Sequence, residues 1–365
     1  SELITTSLRE YEEKAVQLGL KPSDLVVLKK RLQENRTVTP LFDTPRFVHN
    51  LERAFLDIAS QLAKPEEDMV MHAEHQLIDV SYASPEQIIN DLTVAQTKVE
   101  QGFNKEARAI YQRILQHMPT QQAALQMMSH LDQREQINAA MARFPGPQYL
   151  DWLQWLHRTL KPASYVEIGV ETGQSLRFAQ HPTKAVGIDP AIQIVWSQES
   201  WVKLFKLTSD EFFAHHDLRQ VLDAPCVDLA FIDGLHTFDQ ALKDFINIER
   251  YARPGTVVAF HDIFPVTPIT AERDRKSIFW LGDTWKVVMI LKELRPDLKI
   301  FTLPTFPSGL TLVTGLNPDE KLLQKNLEEI ISRWMFVPLS AYFSDMDRHL
   351  NVVENNVAQL AVLLS

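Results

Sequence analysis

The sequence predicts an α/β protein: a seven-stranded Rossmann-like sheet whose last strand pair is antiparallel, with an all-α N-terminal domain before it and C-terminal helices after it. Three observations carry that prediction. Through residues 1–145 apolar positions recur at spacings of three and four with almost no β-branched alternation, the pattern of amphipathic helices. After the RFPGPQ linker (143–148), short apolar runs alternate with amphipathic stretches, as βαβ units of a parallel sheet require. The glycines change density at the same place, since of 11 in the chain only Gly19 and Gly102 precede residue 146. The chain therefore divides into a helical domain (1–145), a sheet domain (146–316) and a helical extension (317–365).

In the helical part, Pro22, Pro45, Pro65, Pro85 and Pro119 fall at helix boundaries. Ser84-Pro85-Glu86 reads as an N-cap followed by proline at the first helical position. The stretch QGFNKEARAIYQRILQHMP (101–119) puts Gly102 at a tight turn, Ala107 at a close-packing position, and Tyr111 and Leu115 on the apolar face. Together with the helix before it (about 86–100) and QQAALQMMSHL after it, it resembles a tetratricopeptide repeat, so residues 86–131 are expected to be of that type. Earlier, TPLFDTPRFVHNLERAF resembles a segment near the end of bacterial repeat-containing O-GlcNAc-transferase-like proteins; no functional reading rests on it.

The strands are expected at SYVEIGV (164–170), AVGIDP (185–190), WVKLFKL (201–207), VDLAFID (227–233), TVVAFHD (256–262), LKIFTLP (298–304) and GLTLVTGL (309–316). Only TFPS separates the last two, and a hairpin-length connection cannot make a parallel crossover, so that pair must be antiparallel. Beyond it, NPDEKLLQKNLEEIISRWMFVPLSAYF and MDRHLNVVENNVAQLAVLLS read as two amphipathic helices. Leu350, Val353, Val357, Leu360 and Leu364 form a coiled-coil-like seam on the last, open either to packing against the N-terminal helices or to a homodimer.

Composition narrows the function. A formal charge of -10, with no Lys/Arg-rich run, excludes nucleic-acid and anionic-membrane partners, because phosphate binding rests on clustered cations. The single Cys226 can form neither an intramolecular disulfide nor a thiolate metal site, and a cytoplasmic location is expected. The opening SELITTSLREYEEK is acidic and amphipathic, unlike a secretory leader, and no run of about 18 apolar residues offers a membrane span.

The turn after the first strand reads Glu167-Ile168-Gly169-Val170-Glu171-Thr172-Gly173-Gln174-Ser175. It lacks the third glycine of a dinucleotide fingerprint, so dinucleotide binding is disfavoured. Its ExGxxxGxS spacing, followed about 20 residues later by GIDP, resembles motif I of class I S-adenosylmethionine (SAM) methyltransferases. Five βα units ending in an antiparallel hairpin over 150–316 suit the same family. The resemblance implies that Glu167, Gly169, Glu171, Thr172, Gly173 and Ser175 bind SAM, with the glycines opening a following helix. It implies that Asp189 accepts the ribose hydroxyls, and that Thr208-Ser209-Asp210 faces the adenine; as alternatives, Asp189 or Asp210 would cap a helix.

AFIDGLHTFDQALKDFINIERYARPGTVVAFHDIFP (230–265) resembles a block of bacterial methyltransferases whose relatives include macrocin O-methyltransferase and cephalosporin hydroxylase. Asp233 and His261-Asp262 end adjacent strands, where open α/β sheets bind ligands. In the resembled sugar O-methyltransferases carboxylates here hold Mg²⁺, so Asp233, His261 and Asp262 are candidate metal ligands. Histidine in place of an acidic residue weakens Mg²⁺ and leaves room for Mn²⁺, Fe²⁺ or no metal. Asp233, His236 and His261 are the catalytic candidates, with either histidine as the base, and the resemblance implies that Asp233 also borders the SAM site.

Between the fifth strand and its helix, a long connection ends in Gly282-Asp283-Thr284-Trp285-Lys286, a GDxWK pattern of the same bacterial group. It reads as a lid that binds substrate through Asp283, Trp285 and Lys286, or alternatively as an anchor in which the tryptophans hold the loop to the sheet. The expectation is SAM-dependent O-methylation of a hydroxyl on a sugar or secondary metabolite. A non-haem metal-dependent hydroxylase and a non-catalytic scaffold are the rivals.

Overall fold

The computed structural model describes residues 8–21, 29–30, 84–196 and 201–364. The expected boundaries at Pro22, Pro45 and Pro65 and the TPLFDT segment lie outside them. The chain divides into two compact units, residues 1–79 and 80–365. In the first, α1 (Leu8–Leu20) is an amphipathic helix. Among the described residues no helix is long and apolar enough to cross a membrane.

The second unit begins with three helices, α2 (Pro85–Glu100), α3 (Asn104–His117) and α4 (Gln122–Arg143). Ser84 caps α2 by accepting the Gln87 N–H at 3.2 Å, which satisfies one of the donors a helix start leaves open. Gly102 makes the α2–α3 turn at φ +83°, a conformation costly for any residue with a Cβ. Ile88, Ala95, Ala107, Tyr111, Ile114, Ala124 and Leu131 form a small core of their own. Farther along α4 the packing changes, and Ala140 and Phe144 join the core of the sheet.

After α5 (Tyr149–Leu160), the strands are β1 (Ser164–Ile168), β2 (Lys184–Ile188), β3 (Val202–Phe205), β4 (Leu229–Ile232), β5 (Val257–His261), β6 (Lys299–Leu303) and β7 (Leu310–Thr314). All seven fall on the expected apolar runs. They make one sheet in the order β3-β2-β1-β4-β5-β7-β6. β7 enters between β5 and β6, antiparallel to both; the other pairings are parallel. Period-two alternation sorts neighbouring side chains to opposite faces. Val166, Ile168, Ala230, Ile232, Val258 and Phe260 face one core; Tyr165, Leu229, Phe231, Val257 and Ala259 face another, closed by Trp152, Leu153 and Leu156 of α5.

Three expectations are corrected. The glycine turn does not open a helix: the β1–β2 connection holds one 3₁₀ turn, Leu176–Phe178, because Pro182 follows too soon for more. The helix expected after β3 is two, α6 (Ser209–His215) and α7 (Leu218–Leu222), because Asp217 caps a new start by accepting the Gln220 N–H. α8 (Phe238–Glu249) and α9 (Lys286–Leu294) flank the sheet farther on.

The third correction concerns the C-terminus, where α10 (Leu322–Lys325), α11 (Leu327–Met335), α12 (Met346–His349) and α13 (Val357–Leu364) replace two long helices. The coiled-coil-like seam is broken by Asn351 at φ +51° and by an extended bridge between Thr302 and Val352. Leu350 and Leu360 are buried within the chain, one in each core of the sheet. Asn355 fastens this segment, accepting the Trp152 Nε1–H at 2.6 Å and donating to the Pro145 carbonyl.

Candidate active site

In the sheet order, the connections turn in opposite directions on either side of β1 and β4, and such switch points leave a crevice at the carboxyl ends of the strands. A cavity of about 840 Å³ occupies it, a size suited to a small-molecule ligand. At its floor the backbones of two loops nearly touch. A Cβ on Gly169 (φ +88°) would lie 1.9 Å from the Asp233 carbonyl oxygen, so only glycine allows the loops after β1 and β4 to meet.

Gly169, Glu171, Thr172 and Ser175 line the cavity, as do Asp189, Ser209 and Asp210. Glu167 does not. Its carboxyl is completely buried beneath the turn, receiving hydrogen bonds from the Tyr165 hydroxyl at 2.5 Å and from Ser175 Oγ at 2.7 Å. Burial pushes its pKa up to about 8. It therefore braces the turn rather than touching a ligand. Gly173 (φ +73°) serves the turn likewise, packed beneath Ile194 and Trp196.

Asp189, expected to accept the ribose hydroxyls, lines the cavity and also holds the glycine turn. Oδ2 accepts the Val170 and Glu171 N–H groups, both at 2.9 Å, and Oδ1 accepts the Ala191 N–H. Most of its lone pairs are thus spent holding the glycine turn closed. Asp210 is not the cap of α6; Thr208 is, in a capping box with Glu211. Ser209 and Asp210 are instead clamped by Gln240 of α8, whose Nε2 reaches Ser209 Oγ at 3.1 Å and Asp210 Oδ1 at 3.0 Å.

Beside this rim lie two carboxylates and two imidazoles. Asp233 follows β4, His261 ends β5, and Asp262 adopts φ +55°, a strained value for a residue other than glycine, which turns its carboxylate back into the site. His236 Nε2 is 2.9 Å from Asp262 Oδ2 and 3.8 Å from Asp233 Oδ1. His261 Nδ1 is 3.2 Å from Asp233 Oδ1. Ser308, from the β6–β7 loop, donates to Asp262 and lies 3.3 Å from His261 Nε2.

Hydrogen bonding fixes the charge of His236. Its Nδ1–H donates to the Trp280 carbonyl at 2.9 Å and its Nε2 faces only carboxylates, so both nitrogens carry protons. Burial alone would lower its pKa; the Asp262 and Asp233 carboxylates outweigh that and raise it to about 10. Burial likewise opposes the pull of Asp233 and Asp262 on His261, which is nonetheless raised. Asp262 is held well below the usual carboxylate range, its burial outweighed by both histidines and Ser308. His236, held between the Trp280 carbonyl and the Asp262 carboxylate, is therefore not a free base in this arrangement. Both carboxylates line the cavity, and Asp233 is the more exposed of the two.

One ligand atom each from Asp233, His261 and Asp262 lie within 4.8 Å of one another, close enough to share a divalent cation. Two carboxylate oxygens and an imidazole nitrogen suit Mn²⁺ or Fe²⁺ better than Mg²⁺.

The GDxWK residues are not in the cavity. Asp283, Trp285 and Lys286 are all buried. Asp283 accepts the Phe238 N–H at 3.0 Å, and its Oδ2 pairs with Lys286 Nζ at 3.0 Å, while Lys286 also reaches the Met335 carbonyl. They fasten the connection to the start of α8. Its cavity-facing part lies just before, at Arg275, Ile278, Phe279 and Trp280, and Trp280 stacks on His236 at 5.2 Å.

Sequence reading missed several contributors. Tyr149 lines the cavity and stacks on His261 at 4.1 Å; its hydroxyl pKa is raised by burial and by the nearby carboxylates. Gln133 and Ile137 reach the cavity from α4. No local motif marks them or Ser308, because each arrives through tertiary packing.

Residues 166–263 match the family model described as a methyltransferase domain. The match starts within β1 and ends just past Asp262, spanning the glycine turn and all four residues of the His/Asp cluster.

Three solved structures are similar in part. The O-methyltransferase TomG from Streptomyces achromogenes, involved in tomaymycin synthesis and in complex with SAM, is 16% identical; the alignment covers 50% of this chain and 89% of that one, with a TM-score of 0.36. The S-adenosylhomocysteine (SAH)-bound Podospora anserina methyltransferase PaMTH1 is 18% identical, covering 50% of this chain and 87% of its own, at a TM-score of 0.35. An O-methyltransferase from Bacillus cereus in complex with SAH is 13% identical, covering 56% and 97%, at 0.34. Separately, 53 residues, 14% of this chain, are 53% identical to the probable UDP-N-acetylglucosamine–peptide N-acetylglucosaminyltransferase SEC of Arabidopsis thaliana. The chain spans only 5% of that relative.

Proposed function

We propose that this protein is a SAM-dependent O-methyltransferase that methylates a hydroxyl on a small acceptor, of the kind found on sugars and secondary metabolites. The observation that carries the reading is the meeting, on one cavity, of the glycine turn after β1 with the Asp233/His236/His261/Asp262 cluster after β4 and β5.

The reaction is an in-line displacement. The acceptor oxygen forms a bond to the methyl carbon as the carbon–sulfur bond breaks; the electron pair returns to sulfur, giving a neutral thioether, and the hydroxyl proton leaves. Alignment of oxygen, methyl and sulfur supplies much of the rate. In this chain the Gly169–Ser175 turn holds the methionine end of SAM, and Asp233 takes the hydrogen bond, then the proton, of the acceptor hydroxyl. His261, at 3.2 Å, and His236, itself held by Asp262, keep Asp233 in place, and Tyr149 keeps the His261 ring flat against the wall. Asp233, His261 and Asp262 also suit a divalent cation, which would act as a Lewis acid on the hydroxyl.

Calorimetry with SAM and SAH, with and without Mn²⁺, tests the reading alongside methyl transfer from labelled SAM to a panel of hydroxylated acceptors. Asp233→Asn should retain SAH binding and lose about 100-fold or more of transfer. Absence of SAM and SAH binding, or turnover that needs Fe²⁺ and O₂ but no SAM, would overturn it.

A further inference from the structure

We infer that the acceptor is an amphipathic hydroxy acid: a flat apolar body bearing an anionic group, with Arg275 binding the anion. This rests on the O-methyltransferase reading and narrows its substrate class. The first support is the wall. Ile137 from α4 and Ile278, Phe279 and Trp280 from the β5–α9 connection give the cavity an apolar, partly aromatic side. Trp280 carries that side up to the reacting cluster, its ring stacked on His236 at an interplanar angle of 28°. Ile278 remains 37% exposed. A neutral polyol would leave these surfaces without apolar partners, whereas a planar hydrocarbon body removes them from water.

The second support is the one lid cation left open. Arg273 is paired with Asp239 at 2.9 Å and Asp283 at 3.4 Å, and Lys276 with Glu272 at 3.4 Å. Arg275 lines the cavity, yet among the described residues no carboxylate lies within ion-pair distance of it. Its guanidinium donates to the carbonyls of Ile278 at 3.1 Å and Ser277 at 3.4 Å and sits 5.9 Å from the centre of the Trp280 ring. It is therefore aimed by the same segment that forms the apolar wall. Elsewhere the cavity's fixed charges outside the histidines are the carboxylates of Glu171, Asp189, Asp210, Asp233 and Asp262. An anionic group would be repelled by each of them, and both histidines are already paired with Asp233 and Asp262, so the Arg275 corner is where it can rest; a guanidinium offers two parallel N–H donors to a carboxylate.

The test uses 3-hydroxybenzoate, its methyl ester and methyl glucoside, titrated calorimetrically into the SAH-loaded full chain. The acid should bind at least tenfold more tightly than the ester or the glucoside. Arg275→Gln should abolish that preference with SAH affinity and melting temperature unchanged. Equal binding of acid and ester, no binding of the acid, or preference for the glucoside would overturn the inference. So would a tenfold loss of SAH affinity in Arg275→Gln, which would assign the guanidinium to the cofactor's own carboxylate. If the wild type binds no SAH, the methyltransferase reading itself fails, a result separate from these.

Discussion

Gly282→Ala is the substitution whose effect can be worked most directly from the structure. Gly282 has φ +62°, and a Cβ there would stand 1.7 Å from the carbonyl oxygen of His236. Real contacts of this kind do not close below about 3 Å, so the β5–α9 connection must lift by more than about 1 Å from the loop that carries His236. Two hydrogen bonds span that joint: Asp283 N–H to the His236 carbonyl at 3.2 Å, and His236 Nδ1–H to the Trp280 carbonyl at 2.9 Å. Each is worth about 1 kcal/mol, and alanine in the left-handed region costs about 1 kcal/mol more. A total near 3 kcal/mol should lower the melting temperature by about 6–12 °C. Because a misplacement of about 1 Å costs on the order of 100-fold in rate, methyl transfer should fall by about that factor. SAH affinity, set mainly by the glycine turn, should change less. Thermal melts, SAH calorimetry and methyl-transfer assays on one preparation check all three. A variant that melts within about 2 °C of wild type and transfers methyl groups normally would refute the idea that the lid positions His236.

Three further outcomes are expected. Glu167 is raised from 4.5 to about 8 by burial, so the folded state holds its proton where the unfolded chain has lost it; this group's contribution to stability is full below pH 4.5 and is lost as pH rises toward 8. Glu167→Gln should flatten that fall in melts taken from pH 5 to 8; an unchanged slope would count against it. Lys286→Met should destabilise by about 3 kcal/mol, since Asp283 would stay buried with only Arg273 nearby, while leaving acceptor KM unchanged in whatever protein remains folded. A raised KM with normal melting would restore the substrate-binding role to the GDxWK residues. Ser308→Ala removes a donor to Asp262 and a neighbour of His261, and should reduce methyl transfer about tenfold, read at saturating SAM.

What the sequence revealed follows from what is local in it. Each strand was visible because a buried parallel strand is a continuous apolar run, and β7 betrayed its direction through the length of TFPS alone. Asp233, His236, His261 and Asp262 could be grouped because strand ends converge wherever a parallel sheet forms. Roles were harder. Glu167 sits in a ligand-binding motif, but a strand places alternate residues on opposite faces, and its side chain goes inward to Tyr165 and Ser175. Asp283 and Lys286 looked like substrate ligands because charged residues near a lid usually face water; here they pair with each other in the interior. Trp280, five residues before Trp285, could not be separated from it by composition, although one stacks on His236 in the cavity and the other lies beneath α11 and Tyr342. Ser308 and Ile137 depend on contacts between distant parts of the chain, for which no short pattern exists.

The contribution of α4 to the cavity sets how this protein could be cut or transplanted. The segment that matches the methyltransferase domain, residues 166–263, holds the floor of the cavity, but Ile137 and Gln133 arrive from before it and Phe279 and Trp280 from after it. Moved alone into another protein, residues 146–316 would keep the turn and the His/Asp cluster yet stand roofless on the α4 side. Acceptor preference would then fall to whatever helix the new host happened to lay across the opening, so selectivity in this architecture is inherited from a neighbour while the chemistry travels with the sheet.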